Sequence, residues 1–179
     1  MDIRRALNKA RRAGAIVNLQ RGGRGLHGLS GIPLAVGKAL VLLRNTPNFR
    51  LEGYAIVPIA GIMSIRSNEF ERFFERVVHD RYGRTRLLKR GPKLDLTDWP
   101  AFFGCFVGKA RLLTVEAERE PHSDFIVGRI VDSTDRRVTM RAISPMATWY
   151  EQPASLLHRR ITIVTFDDHY TSVFAEYAK

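Results

Sequence analysis

The chain has 179 residues, of which 45% are apolar and 26% are charged, a balance that is typical of globular proteins and excludes wholesale disorder. No run approaches the roughly 20 apolar residues that span a bilayer, and the N-terminus lacks the apolar core of a secretory signal, so we expect a cytoplasmic protein. The formal net charge of +11 favours a polyanionic partner.

Two segments without acidic residues, 3–25 and 81–93, hold 13 of the 29 basic side chains. Clustered arginines and lysines attract nucleic-acid phosphates because their binding releases condensed counterions. We therefore predict that these segments bind RNA or single-stranded nucleic acid. The predicted nucleic-acid-binding residues are Arg4, Arg5, Lys9, Arg11, Arg12, Arg81, Arg84, Arg86, Lys89, Arg90 and Lys93.

The first half begins with a helix and continues with strands. Ile3, Leu7 and Ala10 lie at helical spacing and Asp2 can cap the first turn, which predicts a short basic amphipathic helix. A glycine-rich arginine loop is expected at 21–31. The predicted strands lie at 15–20, 34–43 and 54–65, with turn chemistry at 46–48.

A second helix ends the first half, beginning near Asn68 and ending near 82–83. Its apolar residues are expected to share one buried face: Phe70, Phe73, Phe74 and Val77. The acid-free basic stretch that follows is the best domain boundary in the sequence. In the second half Asp98 can cap a short apolar segment, and strands are predicted at 112–118, 125–132, 137–143 and 161–166.

The two halves resemble each other at the residue level. The matching segments are 34–40 with 125–131, 62–65 with 163–166, and Phe70/Phe74 with Tyr170/Phe174. The first match pairs Gly37 with Gly128, and a glycine inside a strand often marks the sharp bend of a small curved barrel. We therefore predict that one β-unit is used twice, with extra residues in a second-half loop around 149–157.

The segments 41–57 and 161–170 resemble the Sm-like fold, and more narrowly an uncharacterised bacterial family that carries two such units in tandem. The resemblance implies a mostly β (α+β) protein in which two tandem Sm-like small β-barrels, each with a short helix, pack together. The implied domains are a first Sm-like unit with the basic N-terminal helix at 1–84, a basic linker at 85–97 and a second Sm-like unit at 98–179.

The chain departs from Sm proteins at their uridine-binding motifs. That pocket needs an aspartate and asparagine pair and, in a second motif, an arginine–glycine or lysine–glycine turn. Asp135 lies near the expected aspartate, but Arg137-Val138 stands in place of the asparagine, and Arg21-Gly22 lies outside the second motif. The resemblance therefore carries over neither a base-binding pocket nor a ring-forming oligomer.

No catalytic or metal-binding arrangement is predicted, and we expect no cofactor. The histidines lack a histidine or cysteine partner at ligand spacing: His27, His79, His122, His158 and His169. Residues 167–169 are expected to form a polar turn, since neighbours on a strand point to opposite faces. Consecutive residues such as 122–124 do not assemble a hydrolase triad. Cys105 lies in an apolar run, which predicts a buried, unreactive thiol.

The expected function is therefore non-enzymatic binding of RNA or another polyanion through a basic surface. The strands offer no exposed aromatic side chains for base stacking, because Phe102, Phe103, Phe106 and Phe125 are predicted to lie in the core. The alternative is a protein–protein interaction or scaffold module. Contact between the first helix and an anionic membrane, and a transit peptide at the arginine-rich start, are further alternatives.

Overall fold

The computed structural model describes residues 2–23, 26–119 and 123–179, which form five helices, ten strands and short 3-10 turns. The helices are α1 Ile3–Ala13, α2 Glu69–Tyr82, α3 Arg84–Leu87, α4 Trp99–Gly104 and α5 His169–Tyr177. The first five strands are β1 Val17–Arg21, β2 Leu29–Val36, β3 Leu40–Asn45, β4 Tyr54–Pro58 and β5 Ile62–Arg66. The others are β6 Leu113–Ala117, β7 Asp124–Ser133, β8 Arg137–Ala142, β9 Ala154–Leu157 and β10 Ile163–Phe166.

All ten strands belong to one open antiparallel sheet in the order β5-β1-β2-β3-β4-β10-β6-β7-β8-β9. The expectation of two tandem Sm-like small β-barrels is therefore wrong. Closing the first half would require β4 to pair with β5, but β4 pairs with β10, with Ile56 opposite Val164 and Ala55 opposite Thr165. The peptide groups that would close a barrel are satisfied by the other half of the chain.

Each half nevertheless orders its own strands in the same way. The first half runs β5-β1-β2-β3-β4 and the second runs β10-β6-β7-β8-β9. Gly31 pairs with Val17 on the first strand of its half, as Gly128 pairs with Leu113, and a register shift follows two residues after each glycine. Gly31 is thus the counterpart of Gly128, and the expected match with Gly37 is wrong.

The two matched glycines are required by close approach between strands. A Cβ atom at Gly31 would lie 2.7 Å from the carbonyl oxygen of Arg44, and one at Gly128 would lie 2.3 Å from that of Arg141. Both distances are far below a normal contact, so a side chain would push β3 or β8 away. Gly37 lies instead in the turn between β2 and β3, where its amide donates to the carbonyl of Leu40.

Several predicted strands differ from the observed ones. The predicted strand 34–43 is divided by that turn into β2 and β3, and the predicted strand 54–65 is divided by a 3-10 turn at Ile59–Gly61 into β4 and β5. The strand β9 was not predicted, since its sequence falls in the expected loop. Helices α1, α2 and α4 are confirmed, each with its expected cap: Asp2, Asn68 and Asp98. The expected buried face of α2 is wrong for Phe70 and Phe73, which are 54% and 48% exposed.

The main hydrophobic core joins the two halves. Leu42 and Ile56 of the first half pack in one cluster with Phe102, Phe106 and Val164 of the second. On the opposite face, another cluster packs α1 against β1, β3, β4 and the β10 residue Ile163. Because side chains alternate along a strand, β3 and β4 are buried on both faces. No helix among the described residues is long and apolar enough to cross a membrane.

The aromatic cluster of α4 predicts a large stability effect. Phe102 is fully buried against Trp99, Phe103 and Phe106, so Phe102→Ala removes a ring from the junction core. We expect a loss of about 3–5 kcal/mol in the free energy of unfolding, measured by urea denaturation. The control Tyr177→Ala changes an exposed ring on α5 and should stay within about 0.5 kcal/mol of the unmodified protein. Equal losses in the two variants would contradict this core assignment.

Candidate nucleic-acid interface

The chain after α2 folds back onto the end of α1, which brings the two basic segments together. Gly14 ends α1 in the left-handed conformation, and the side chain of Leu88 packs over it. The Arg84 guanidinium reaches the carbonyl of Ala13 at 3.5 Å. The basic linker therefore begins beside the C-terminal turn of the first helix, where Arg11 and Arg12 are exposed.

A cleft of about 400 Å³ lies between these segments, and we call it the basic cleft. Arg11 and Arg12 line it from α1, and Arg90 lines it from the linker. Apolar side chains of β2, β3 and the linker complete it, including Ile32, Leu42 and Leu88. Among the described residues, no acidic side chain belongs to this lining, so the three guanidinium groups give the cleft a positive potential.

The linker is held in place by a buried arginine and a buried leucine. Arg44 is only 8% exposed, and its Nη2 donates to the carbonyl of Lys89 at 3.0 Å. Its guanidinium also lies 4.4 Å from the centre of the Tyr54 ring. Leu87 is fully buried in a cluster with Ile16 and Phe74. Sequence reasoning missed this function of Arg44, because one arginine in an apolar strand carries no signal of its partner.

The eleven predicted binding residues are all exposed, but they do not form a single site. Arg4 lies away from the basic cleft and donates to the carbonyls of Gly37 and Lys38. Arg86 lies over the ring of Tyr82. Three of the eleven, from both segments, line the basic cleft. The residue Arg24, which contributes to the first charged segment, lies outside the described part of the chain.

Lys93 lines a second cleft of about 580 Å³, together with Lys109 and Arg111. Pro92 lines both clefts, so the positive surface continues across the linker. Arg111 is partly neutralised by Asp167, with 3.3 Å between Nε and Oδ1. Cys105 also lines this cleft and is half-buried, so the prediction of a buried thiol is wrong. Lys109 and Arg111 were missed because they follow an apolar stretch rather than a charged run.

Arg21 is committed to an ion pair between the two halves and does not belong to the basic surface. Its Nη2 lies 2.8 Å from Oε1 of Glu118, whose other oxygen accepts from the hydroxyl of Thr162 at 2.6 Å. Burial, with the negative charge of Glu118 beside it, raises the pKa of Glu116 to about 7. The arginine loop predicted at 21–31 therefore begins with a structural residue.

The raised pKa of Glu116 makes stability depend on pH. The folded protein holds this proton up to about pH 7, whereas the unfolded chain releases it near 4.5. The stabilisation that the protonated Glu116 contributes to the folded state is therefore complete below pH 4.5 and is lost as the pH rises through 7. Glu116→Gln cannot ionise, so its melting temperature should gain on that of the unmodified protein between pH 5 and 7.5. A pH-independent difference in this thermal-denaturation series would contradict the buried position of the carboxyl group.

The described polar residues that could suggest a catalytic site instead cap a helix or pack in the core. The expected polar turn at 167–169 is confirmed, with Asp168 capping α5 through a 2.7 Å bond from the amide of Thr171. His158 is buried and stacks on Phe103, and burial lowers its pKa. His122 lies outside the described residues. Within the described ranges, no three His, Cys, Asp or Glu side chains could hold a metal ion.

Comparison with known proteins identifies no relative of this chain. No family model, curated protein or solved structure matches this chain.

Proposed function

We propose that this protein binds RNA or another polyanion, without catalysis, through the basic cleft and the linker beside it. The observation that supports the proposal is the convergence of Arg11, Arg12 and Arg90 around one cleft, whose lining has no carboxylate from the part of the chain that the structure describes. Guanidinium groups suit this task because their planar fork can donate two hydrogen bonds to one phosphate. As part of the proposal, the protein acts in the cytoplasm.

The attachment of the linker strengthens the argument from charge. A basic tail in solution loses conformational entropy when it binds, and that loss weakens the complex. Here Arg90 follows directly on Lys89, whose carbonyl is bonded to the buried Arg44. Leu87 fixes the chain two residues earlier in the core. The arginines are thus presented by ordered backbone, and most of the entropic cost falls on their side chains alone.

The proposal predicts loss of binding when the cleft charges are reversed. The triple variant Arg11→Glu, Arg12→Glu, Arg90→Glu should bind a fluorescent single-stranded RNA at least tenfold more weakly in an anisotropy titration. If each arginine neutralises one phosphate, the slope of log K against log salt should also become shallower by about 2.

A charge-matched control keeps this test specific. Arg72→Glu, Arg76→Glu, Arg159→Glu changes the net charge equally at three exposed positions outside the cleft. It should retain most of the affinity. Equal losses of affinity in the two triple variants would mean that only the total charge matters. Binding that does not depend on salt would contradict the electrostatic proposal.

The alternative function is a protein-interaction or scaffold module. It is favoured by exposed apolar side chains on β5 and α2, where Met63 is 73% exposed and Phe70 and Phe73 also face outward. Such residues at a free sheet edge are typical of contact surfaces. A stoichiometric protein partner that resists nuclease and is lost in Phe70→Glu, Phe73→Glu, but not in the cleft triple variant, would support it.

A further inference from the structure

The second half carries a set of exposed and half-buried rings and arginines that we call the aromatic–arginine face. Its members are Phe125, Arg129, Arg141, Trp149, Tyr150 and Tyr170. Phe125 is 57% exposed, Tyr150 53% and Tyr170 48%. The prediction that Phe125 lies in the core is therefore wrong: side-chain alternation along β7 places it on the outer side of the sheet, beside α5.

The arginine part of this face pairs two like charges. Arg129 on β7 lies directly opposite Arg141 on β8, an arrangement that costs stability when nothing compensates it. Both guanidinium groups approach the ring of Trp149, at 4.7 and 4.9 Å from its centre. Neither forms an ion pair with a carboxylate of the described residues, and Nε of Arg129 is buried without a hydrogen-bond partner. The pair is therefore suited to receive an anion.

The aromatic part borders a groove of about 760 Å³, whose lining includes Val127, two residues before Arg129 on β7. Val127 and Ile143 contribute apolar surface to its lining, and Tyr150, Tyr170 and Phe174 line it further. Phe125, Val127 and Arg129 share one face of β7 because alternate residues point the same way. The same face of β7 therefore continues from the groove, with its apolar rings, to Arg129.

The first half shows that the fold does not require such a groove to stay open. There the equivalent surface of β2 is covered by α2 and α3, with Leu87 buried against Ile32 and Phe74. Phe49 also stacks on Phe74 at 4.3 Å. In the second half Phe174, the counterpart of Phe74, borders the open groove instead. The exposed rings are therefore a property of this half rather than a consequence of the strand order.

We propose that the aromatic–arginine face binds single-stranded nucleic acid, with a base stacked in the groove and an adjoining phosphate on Arg129 and Arg141. This inference goes beyond the proposed function, because it places a second binding site outside the basic cleft. Base stacking on aromatic rings beside arginines is the usual way in which proteins hold single strands. A purely apolar helix in the groove would leave both guanidinium groups without an anion. Glu151 and Gln152 at the groove offer polar groups to a base edge.

The test compares oligonucleotides with and without bases. Oligo(U), oligo(dT) and an abasic strand of equal length are titrated against the full chain, with fluorescence anisotropy as one readout. The second readout is tryptophan emission in a Trp99→Phe background, where Trp149 is the remaining tryptophan. The variant Phe125→Ala, Tyr150→Ala should bind the base-bearing strands about tenfold more weakly or worse, and the abasic strand unchanged. Trp149 emission should be quenched by base-bearing strands only. The exposed-ring control Phe70→Ala, Tyr177→Ala should bind like the unmodified protein.

The outcomes separate this inference from the proposed function. If the cleft triple variant loses affinity but bases and rings make no difference, the face proposal is overturned and the basic-cleft proposal stands. If only the ring variant loses affinity, the face is supported and the cleft proposal fails. If no strand binds, both are overturned, and binding of an acidic peptide alone would assign the groove to a protein ligand.

Discussion

The pairing of β4 with β10 is the constraint on which the rest of the structure depends. Three residue pairs join these short strands, and the ring of Tyr54 stacks on that of Phe166 at the same joint, 5.2 Å between centres. Because the joint extends one sheet through both halves, β3 and β4 are buried on both sides. The aromatic residues of α4 then pack against first-half side chains, and the halves cannot separate without exposing this core.

The same arrangement turns a run of positive charge into a defined surface. The charged linker crosses the outside of β2 and β3, where Leu87 is inserted in the core and the buried guanidinium of Arg44 bonds to the backbone at Lys89. These two contacts, rather than the arginines of the linker themselves, determine where the positive groups lie. A backbone segment that is held by buried neighbours presents its long side chains to a ligand at a lower entropic cost than a flexible tail does.

The two halves share a strand order but use their outer surfaces differently. The first half covers the outer side of β2 with α2, α3 and Phe49, so its rings contribute to stability. The second half leaves the corresponding side of β7 open, with the pair Arg129 and Arg141 two residues further along the strand from the groove residue Val127. One framework thus combines a filled groove with an open one, and the difference lies in the segments after the strands rather than in the sheet.

The sequence by itself determined the local elements whose signals are short-range. Asp2, Asn68 and Asp98 cap the helices they precede, and the apolar runs of β3 and β4 are buried. The tertiary structure alone decided that β4 bonds to β10 instead of closing a barrel, because apolar alternation specifies a face and not a partner strand. It also decided that Gly31 matches Gly128 and that Phe125 is exposed, since register and cover depend on distant segments. The basic cleft follows the same rule: its charges are readable in the sequence, while their convergence comes from Arg44 and Leu87, whose contacts are long-range.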